Sequence, residues 1–251
     1  MRIIAIIQAR MSSSRLPGKV LADIAGKTML QRIIERIALA QWVDKVVVAT
    51  TDACEDDILV EYLRNEKTCD VFRGSVDDVL SRFYECAKLY RAEIVIRVTA
   101  DDPLKDPQII DKAINLLNMD PRLDYCSNTM EPSYPEGLDI EVMRFQALER
   151  AHVEAQLASE REHVTPYIWK HTDLFNTLNF KSDRDLKDWR WTVDKPEDLE
   201  FMRRIFEEFR NRPLVPYQDV IAWLDINPQI RLINSGVNRN EGYLKSLQLE
   251  N

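Results

Sequence analysis

The chain has 251 residues, with 34 Lys and Arg against 42 Asp and Glu, a formal charge of −8. That acidic balance excludes a general nucleic-acid binder, and no apolar run approaches the ~20 residues needed to span a bilayer. Cys54, Cys69, Cys86 and Cys126 are widely spaced with no C-x-x-C, which argues for free thiols over a disulfide framework or thiolate zinc site.

Ile3 to Ile7 is a short β-branched run and reads as a buried strand, the first of a parallel sheet. Directly after it comes Gln8-Ala9-Arg10-Met11-Ser12-Ser13-Ser14-Arg15-Leu16-Pro17-Gly18-Lys19, which sets three cations among serines, a proline and a glycine. A loop at the carboxyl end of the first strand is where open α/β sheets bind ligands. Fixed cations beside free backbone N–H groups suit a polyphosphate; a solvated basic turn is the other reading of the same residues.

Thr28-Met29-Leu30-Gln31 is a capping-box pattern, opening a helix with Leu30, Ile33, Ile34 and Ile37 on one face. Lys45 to Thr50 is a second buried strand, and Ile58, Leu59, Tyr62 and Leu63 mark the next helix. Val71-Phe72 is a short strand. Ser75 to Asp78 then caps a helix carrying Val79, Leu80, Phe83 and Ala87. Ile94 to Val98 is a further strand, and Asp106-Pro107 starts a helix with Pro in its first turn. Strands separated by helices imply right-handed crossovers and a mostly parallel sheet.

From about Leu123 the pieces Asp124 to Asn128, Leu138 to Met143 and Phe175 to Phe180 are strand-like but more polar, as expected of a sheet edge with a substrate-covering lobe. The helix from Pro196, with Leu199, Met202, Ile205, Phe206 and Phe209 inward, closes the fold, and the chain beyond Asn227 is Asn-rich and weakly patterned. The reading is one α/β domain over residues 1–235, with a nucleotide-binding half (1–122), an acceptor and edge lobe (123–195), closing helices (196–225) and a polar tail (226–251). Gly26-Lys27-Thr28 resembles the end of a phosphate-binding G-x-x-x-x-G-K-[ST] loop, but Leu21 stands where its first glycine belongs, and no G-x-G-x-x-G occurs.

Asp101-Asp102-Pro103 follows the Ile94 strand and reaches the same sheet edge as the Arg10 loop. Mg²⁺ takes one or two carboxylates plus phosphate oxygens; a turn or N-cap role fits the same spacing. Asp194-x-x-Glu197 likewise reads either as a helix cap or as a second metal carboxylate. His152, His163 and His171 form no spaced metal set, and Trp189 and Trp191 read as core.

Three blocks carry a resemblance: the Ile-Gln-Ala-Arg-Met-Ser-Ser-Ser-Arg-Leu-Pro-Gly-Lys loop, Arg97 to Pro103, and Thr192 to Leu199. In this order they resemble the sugar cytidylyltransferases, the 3-deoxy-manno-octulosonate and acylneuraminate enzymes, and above all the spore-coat polysaccharide (SpsF-type) branch. The resemblance implies a Rossmann-like, GT-A-like nucleotidyltransferase sheet and a dimeric enzyme of polysaccharide biosynthesis; a cytoplasmic location is expected instead from the lack of a membrane-spanning run and of a signal-peptide plan at Arg2-Ile3-Ile4. It implies attack of a sugar hydroxyl, on a keto-sugar acid, at the α-phosphorus of CTP, with release of pyrophosphate. Catalytic roles fall to Arg10, Arg15, Lys19 and Asp101, and nucleotide contacts to Gln8, Ala9, Arg10, Ser12, Ser13, Arg15, Lys19, Thr51, Asp52, Arg73 and Gly74. Mg²⁺ falls to Asp101 and Asp194, with Asp102 a weaker partner because this chain has Ala100-Asp102 where the octulosonate enzymes carry Gly and usually Glu. Acceptor contacts fall to Glu136, Arg161, Glu162 and His163. A metal-dependent glycosyltransferase, with Asp101-Asp102 as its metal motif, and a non-catalytic nucleotide-binding protein are the alternatives.

Overall fold

Apolar strands with no polar face set the architecture, because a sheet of this kind must be covered by helices on both sides. The computed structural model describes residues 1–13, 15–236, 239 and 241–250; Ser14 of the basic loop lies outside the described residues. The chain runs through β1 (Ile3–Gln8), a small ladder of β2 (Asp23–Ile24) and β3 (Lys27–Thr28), α1 (Met29–Ile37), β4 (Lys45–Thr51), α2 (Asp57–Glu66) and β5 (Asp70–Gly74). It continues through α3 (Val79–Leu89), β6 (Ile94–Thr99), α4 (Pro107–Met119), β7 (Tyr125–Ser127), β8 (Glu141–Arg144), α5 (Phe145–Glu154), α6 (Ala158–His163), α7 (Pro166–Lys170) and β9 (Thr177–Asn179). The helices α8 (Pro196–Glu208), α9 (Tyr217–Ile226), α10 (Pro228–Arg231) and α11 (Glu241–Glu250) complete it.

The main sheet has seven strands in the order β5-β4-β1-β6-β8-β7-β9. β5, β4, β1 and β6 are parallel neighbours, β8 pairs antiparallel with both β6 and β7, and β9 runs parallel to β7. One strand of seven is therefore reversed, and the mostly parallel single sheet expected from the sequence is present.

Side chains alternate across a strand, so each strand feeds two cores. Ile3, Ala5 and Ile7 pack on one face with α1, α2, α4, α8 and α9; Ile4 and Ile6 pack on the other with α3, α5 and α7. Thr28 caps α1 by accepting from Gln31 N at 3.1 Å, and Asp78 caps α3 through Ser81 N at 2.8 Å. Of the residues that mark α2 in the sequence, Ile58 is exposed, while Leu59 and Leu63 hold the helix to the core.

The edge strands are shorter than expected. Before β8 the Asn128 side chain supplements a backbone bond to Ile140 O, donating to Leu138 O at 2.9 Å and accepting from Ile140 N at 2.8 Å. The terminal stretch that reads as a weakly patterned tail is helical in α10 and α11, and α11 packs beside α6.

Candidate active site

On the sheet face covered by α3, α5 and α7, the strands turn polar toward the carboxyl edge of the parallel strands. Ile4 and Ile6 give way to Gln8, Val95 to Arg97 and Thr99, and the reversed β8 brings Glu141 to the same end ahead of Met143. Gln8, Arg97, Thr99, Asp101 and Glu141 line a cavity of about 490 Å³. Arg15, Asp194, Arg190 and Glu136 line it too, as do His163, Trp169 and Tyr243.

The basic loop is pinned to the sheet by buried Asp56. Its carboxylate accepts from Met11 N at 2.7 Å, from Thr50 Oγ1 at 2.9 Å and from the Thr51 hydroxyl. Burial pushes this carboxyl up, but the donated hydrogen bonds outweigh burial and hold it below its usual range. Gly18, at φ +71, takes a left-handed conformation that turns the chain back so that Lys19 enters the site.

Lys19 is buried and its Nζ donates to Asp194 Oδ1 at 2.8 Å, to Asp101 Oδ2 at 3.3 Å and to Val193 O at 2.7 Å. Arg15 Nη2 lies 2.6 Å from the same Asp194 Oδ1, and Arg190 Nη2 meets Asp194 Oδ2 at 3.0 Å. Burial lowers the Lys19 pKa and raises that of Asp101, yet each ends shifted toward its charged form because the opposite charges facing them prevail. Arg15, Lys19, Asp101 and Asp194, chosen from sequence, thus converge.

Asp194 does not cap α8. That position is served by Asp198, whose Oδ2 accepts from Asp194 N at 2.9 Å and Lys195 N at 3.0 Å, leaving the Asp194 carboxylate to its three cations. Asp102 is likewise engaged: it accepts from Thr99 Oγ1 at 2.9 Å and pairs with buried Lys105 at 2.8 Å.

Thr51, Asp52, Arg73 and Gly74, expected among the nucleotide contacts, sit at the ends of β4 and β5, beside the cavity and not in its lining. The Thr51 hydroxyl is held by Asp56, and Asp52 N donates to Gly74 O at 2.9 Å. Arg73 donates to Thr51 O and Ala53 O and pairs with Asp57. Arg73 and Gly74 line a separate shallow depression with Arg82, whose pKa falls to about 10 through burial and the neighbouring Arg10. Arg10 is exposed, Ala9 N donates to Ala49 O, Ser12 is exposed, and the Ser13 hydroxyl accepts from Leu16 N at 3.3 Å.

Of the four acceptor candidates, Glu136 and His163 line the cavity and the other two do not. Arg161 is drawn away by the Asp78 carboxylate at 2.7 Å and by carbonyls of His152 and Ala155. Glu162 accepts from Ser246 Oγ at 2.7 Å on the outer side of α6. Sequence reading missed Arg97, Glu141, Trp169 and Tyr243. The signal for the first two was present: a charge at an alternation position where the strand demands an apolar residue. His163 is hydrogen-bonded to Ser246 and edge-on to Tyr243; burial and nearby Arg97 lower its pKa to about 4.

The resemblance implies Mg²⁺. Among the described residues no three His, Cys, Asp or Glu side chains cluster to hold a metal, but Asp101 and Asp194 face one shared ammonium, and two carboxylates suffice where substrate phosphate and water supply the remaining oxygens. The donor set fits Mg²⁺.

An open α/β sheet whose carboxyl edge presents paired cations and carboxylates defines a nucleotide-handling protein. The chain belongs to the cytidylyltransferase family, whose model matches residues 4–222. It is 38% identical over 241 residues to an uncharacterized protein of Methanocaldococcus jannaschii, covering 95% of this chain and 97% of that one. It is 32% identical to the spore coat polysaccharide biosynthesis protein SpsF of Bacillus subtilis, over 90% of this chain and 95% of the relative. Its fold is similar to that of a cytidylyltransferase from Leptospira borgpetersenii, with TM-score 0.89, 32% identity and coverage of 95% and 100%.

Proposed function

We propose that this cytidylyltransferase moves CMP from CTP to a hydroxyl of a keto-sugar acid, with Mg²⁺, in the supply of a surface polysaccharide. The observation that carries the reading is the convergence of Lys19 and Arg15 on Asp194, with Asp101 on the same ammonium. The family membership supports the nucleotide, and the resemblance of the three sequence blocks supports the sugar acid.

The reaction needs positioning and charge neutralisation more than a covalent nucleophile. Lys19 and Arg15 hold the terminal phosphates and stabilise the charge that collects on the leaving pyrophosphate. Asp101 and Asp194 would hold Mg²⁺, which supplies Lewis-acid neutralisation of the phosphate and favours the ionised acceptor hydroxyl. Arg190, bonded to Glu136, Asp194 and Asp198, keeps the Asp194 carboxylate aimed at the site.

The test is pyrophosphate release from each of the four nucleoside triphosphates against a panel of keto-sugar acids. CTP with a sugar acid is the expected productive pair. Release from another triphosphate in preference to CTP, or from none, would overturn the proposal.

A further inference from the structure

Arg97 stands mid-strand in β6, flanked by buried Val95, Ile96 and Val98, and its side chain is only 13% exposed. A charge at such a position is costly unless every donor is used. Yet Nη1 alone is engaged, donating to Glu141. Nε is buried with no partner, and Nη2 donates to no described residue. The unused Nε–Nη2 edge is the planar fork that matches a carboxylate with two parallel hydrogen bonds.

The surroundings fix which ligand can use it. Lys105 is closed by Asp102 and by Asp139 O, and Arg190 by Glu136, Asp194 and Asp198. Of these three cations, Arg97 alone keeps guanidinium donors with no partner among the described residues. It faces the wall of His163, Trp169 and Tyr243, a surface suited to a sugar ring, and lies on the β8 side of the sheet, away from β4 and β5. Gln8 Oε1, also buried without a partner, lines the same cavity and can accept from a sugar hydroxyl.

We infer that the Nε–Nη2 edge of Arg97 binds the carboxylate of the acceptor sugar, and that Glu141 is the positioning residue that orients the guanidinium from its other side. Glu141 is itself fixed by Tyr125 Oη at 2.7 Å and Thr165 Oγ1 at 2.5 Å. This rests on the transferase reading above and names the residue that selects its substrate class.

The test pairs each 2-keto sugar acid of a panel with its C1 primary amide, measuring pyrophosphate release with CTP, and measures CTP binding separately by calorimetry. The wild type should prefer acid over amide. Arg97→Lys, which keeps the charge and loses the fork, should raise the KM for the acid by about 10–100-fold. Its Kd for CTP should change by less than about twofold. Because Arg97→Gln leaves Glu141 buried and unpaired, the double variant Arg97→Gln/Glu141→Gln is the folding-safe partner, and it should erase the acid preference. Equal use of acid and amide by the wild type, or an equal loss of CTP affinity in Arg97→Lys, would overturn the assignment while leaving the transferase reading intact. No pyrophosphate with any acceptor overturns both.

Discussion

Lys19 Nζ lies 2.8 Å from Asp194 Oδ1 although 175 positions separate them in the chain. The loop after β1 and the segment before α8 are thereby tied at one buried point, and the lysine serves the fold as well as any phosphate. Replacing Lys19 with Ala should lower kcat/KM by ~10²–10³-fold. It should also cost about 1–3 kcal/mol of stability, since Asp101 and Asp194 lose a buried partner. Arg15, with a side chain 38% exposed, should show a similar kinetic loss and little change in melting temperature. Steady-state kinetics beside thermal melts separate the two variants; an unshifted melt in Lys19→Ala would contradict the structural half.

Asp194→Asn distinguishes a ligand from a cap. Asn caps a helix about as well as Asp, but it cannot match the charge of Lys19, Arg15 and Arg190 around it. Activity should fall by ~10²-fold or more with α8 intact by circular dichroism. Asp198→Ala should do the reverse damage first, destabilising α8 because it removes the acceptor for Asp194 N and Lys195 N.

Glu241 lies 3.5 Å from Arg15 and 3.8 Å from Lys195 in the same mouth. A carboxylate there competes with phosphate for Arg15. Glu241→Gln should tighten CTP binding by about two- to fivefold, the scale of a partly exposed ion pair. Calorimetry at two salt concentrations checks this, and weaker binding in the variant would refute the competition.

His163 links stability to pH. Burial first and Arg97 second lower its pKa from 6.5 to about 4, while Glu162, Glu141 and Glu250 pull the other way. Between those values the unfolded chain takes up a proton that the folded chain does not, so stability is complete above 6.5 and falls as pH drops toward 4. Asp101, Glu141 and Asp198, with lowered pKa values, add losses that begin as pH falls through the ordinary carboxylate range and continue below it. His163→Gln should flatten the melting curve against pH in this window; an unchanged slope would assign it elsewhere.

Gly137 sits at φ +106, and a Cβ there would lie 2.5 Å from the Trp191 carbonyl. Trp191 N donates to Glu136 O at 2.6 Å and Glu136 N to Trp189 O at 2.8 Å, so neither backbone can retreat without breaking the bridge that aims Arg190. Gly137→Ala should cost more than about 3 kcal/mol by chemical denaturation.

The first half of the chain, residues 1–122, was legible because its signals are local: β-branched runs, helical periodicity, and caps at Thr28 and Asp78 lie within a few residues of what they control. Arg15, Lys19, Asp101 and Asp194, named from their blocks, lie together in the structure. Arg161 was misplaced because nothing nearby reveals its partner Asp78, 83 positions earlier. The terminal helix α11 was illegible for the same reason. Its anchors, Ser246 to His163 and Glu250 to Ser159, cross 83 and 91 positions, and no internal periodicity announces them. Arg97 and Glu141 could have been read as interruptions in apolar strands, but their pairing required the reversal of β8.

That reversal divides the labour of the chain. Parallel strands deliver side chains to the working edge at their ends, whereas β8 delivers Glu141 at its beginning, by way of the segment 128–140. This segment lines the cavity before the strand starts, and Asn128, Glu136 and Gly137 fix its path. The cavity wall is thus shared between the parallel strands, which bring Gln8, Arg97 and Thr99, and a single connection, which brings Thr129, Met130, Glu136 and Asp139.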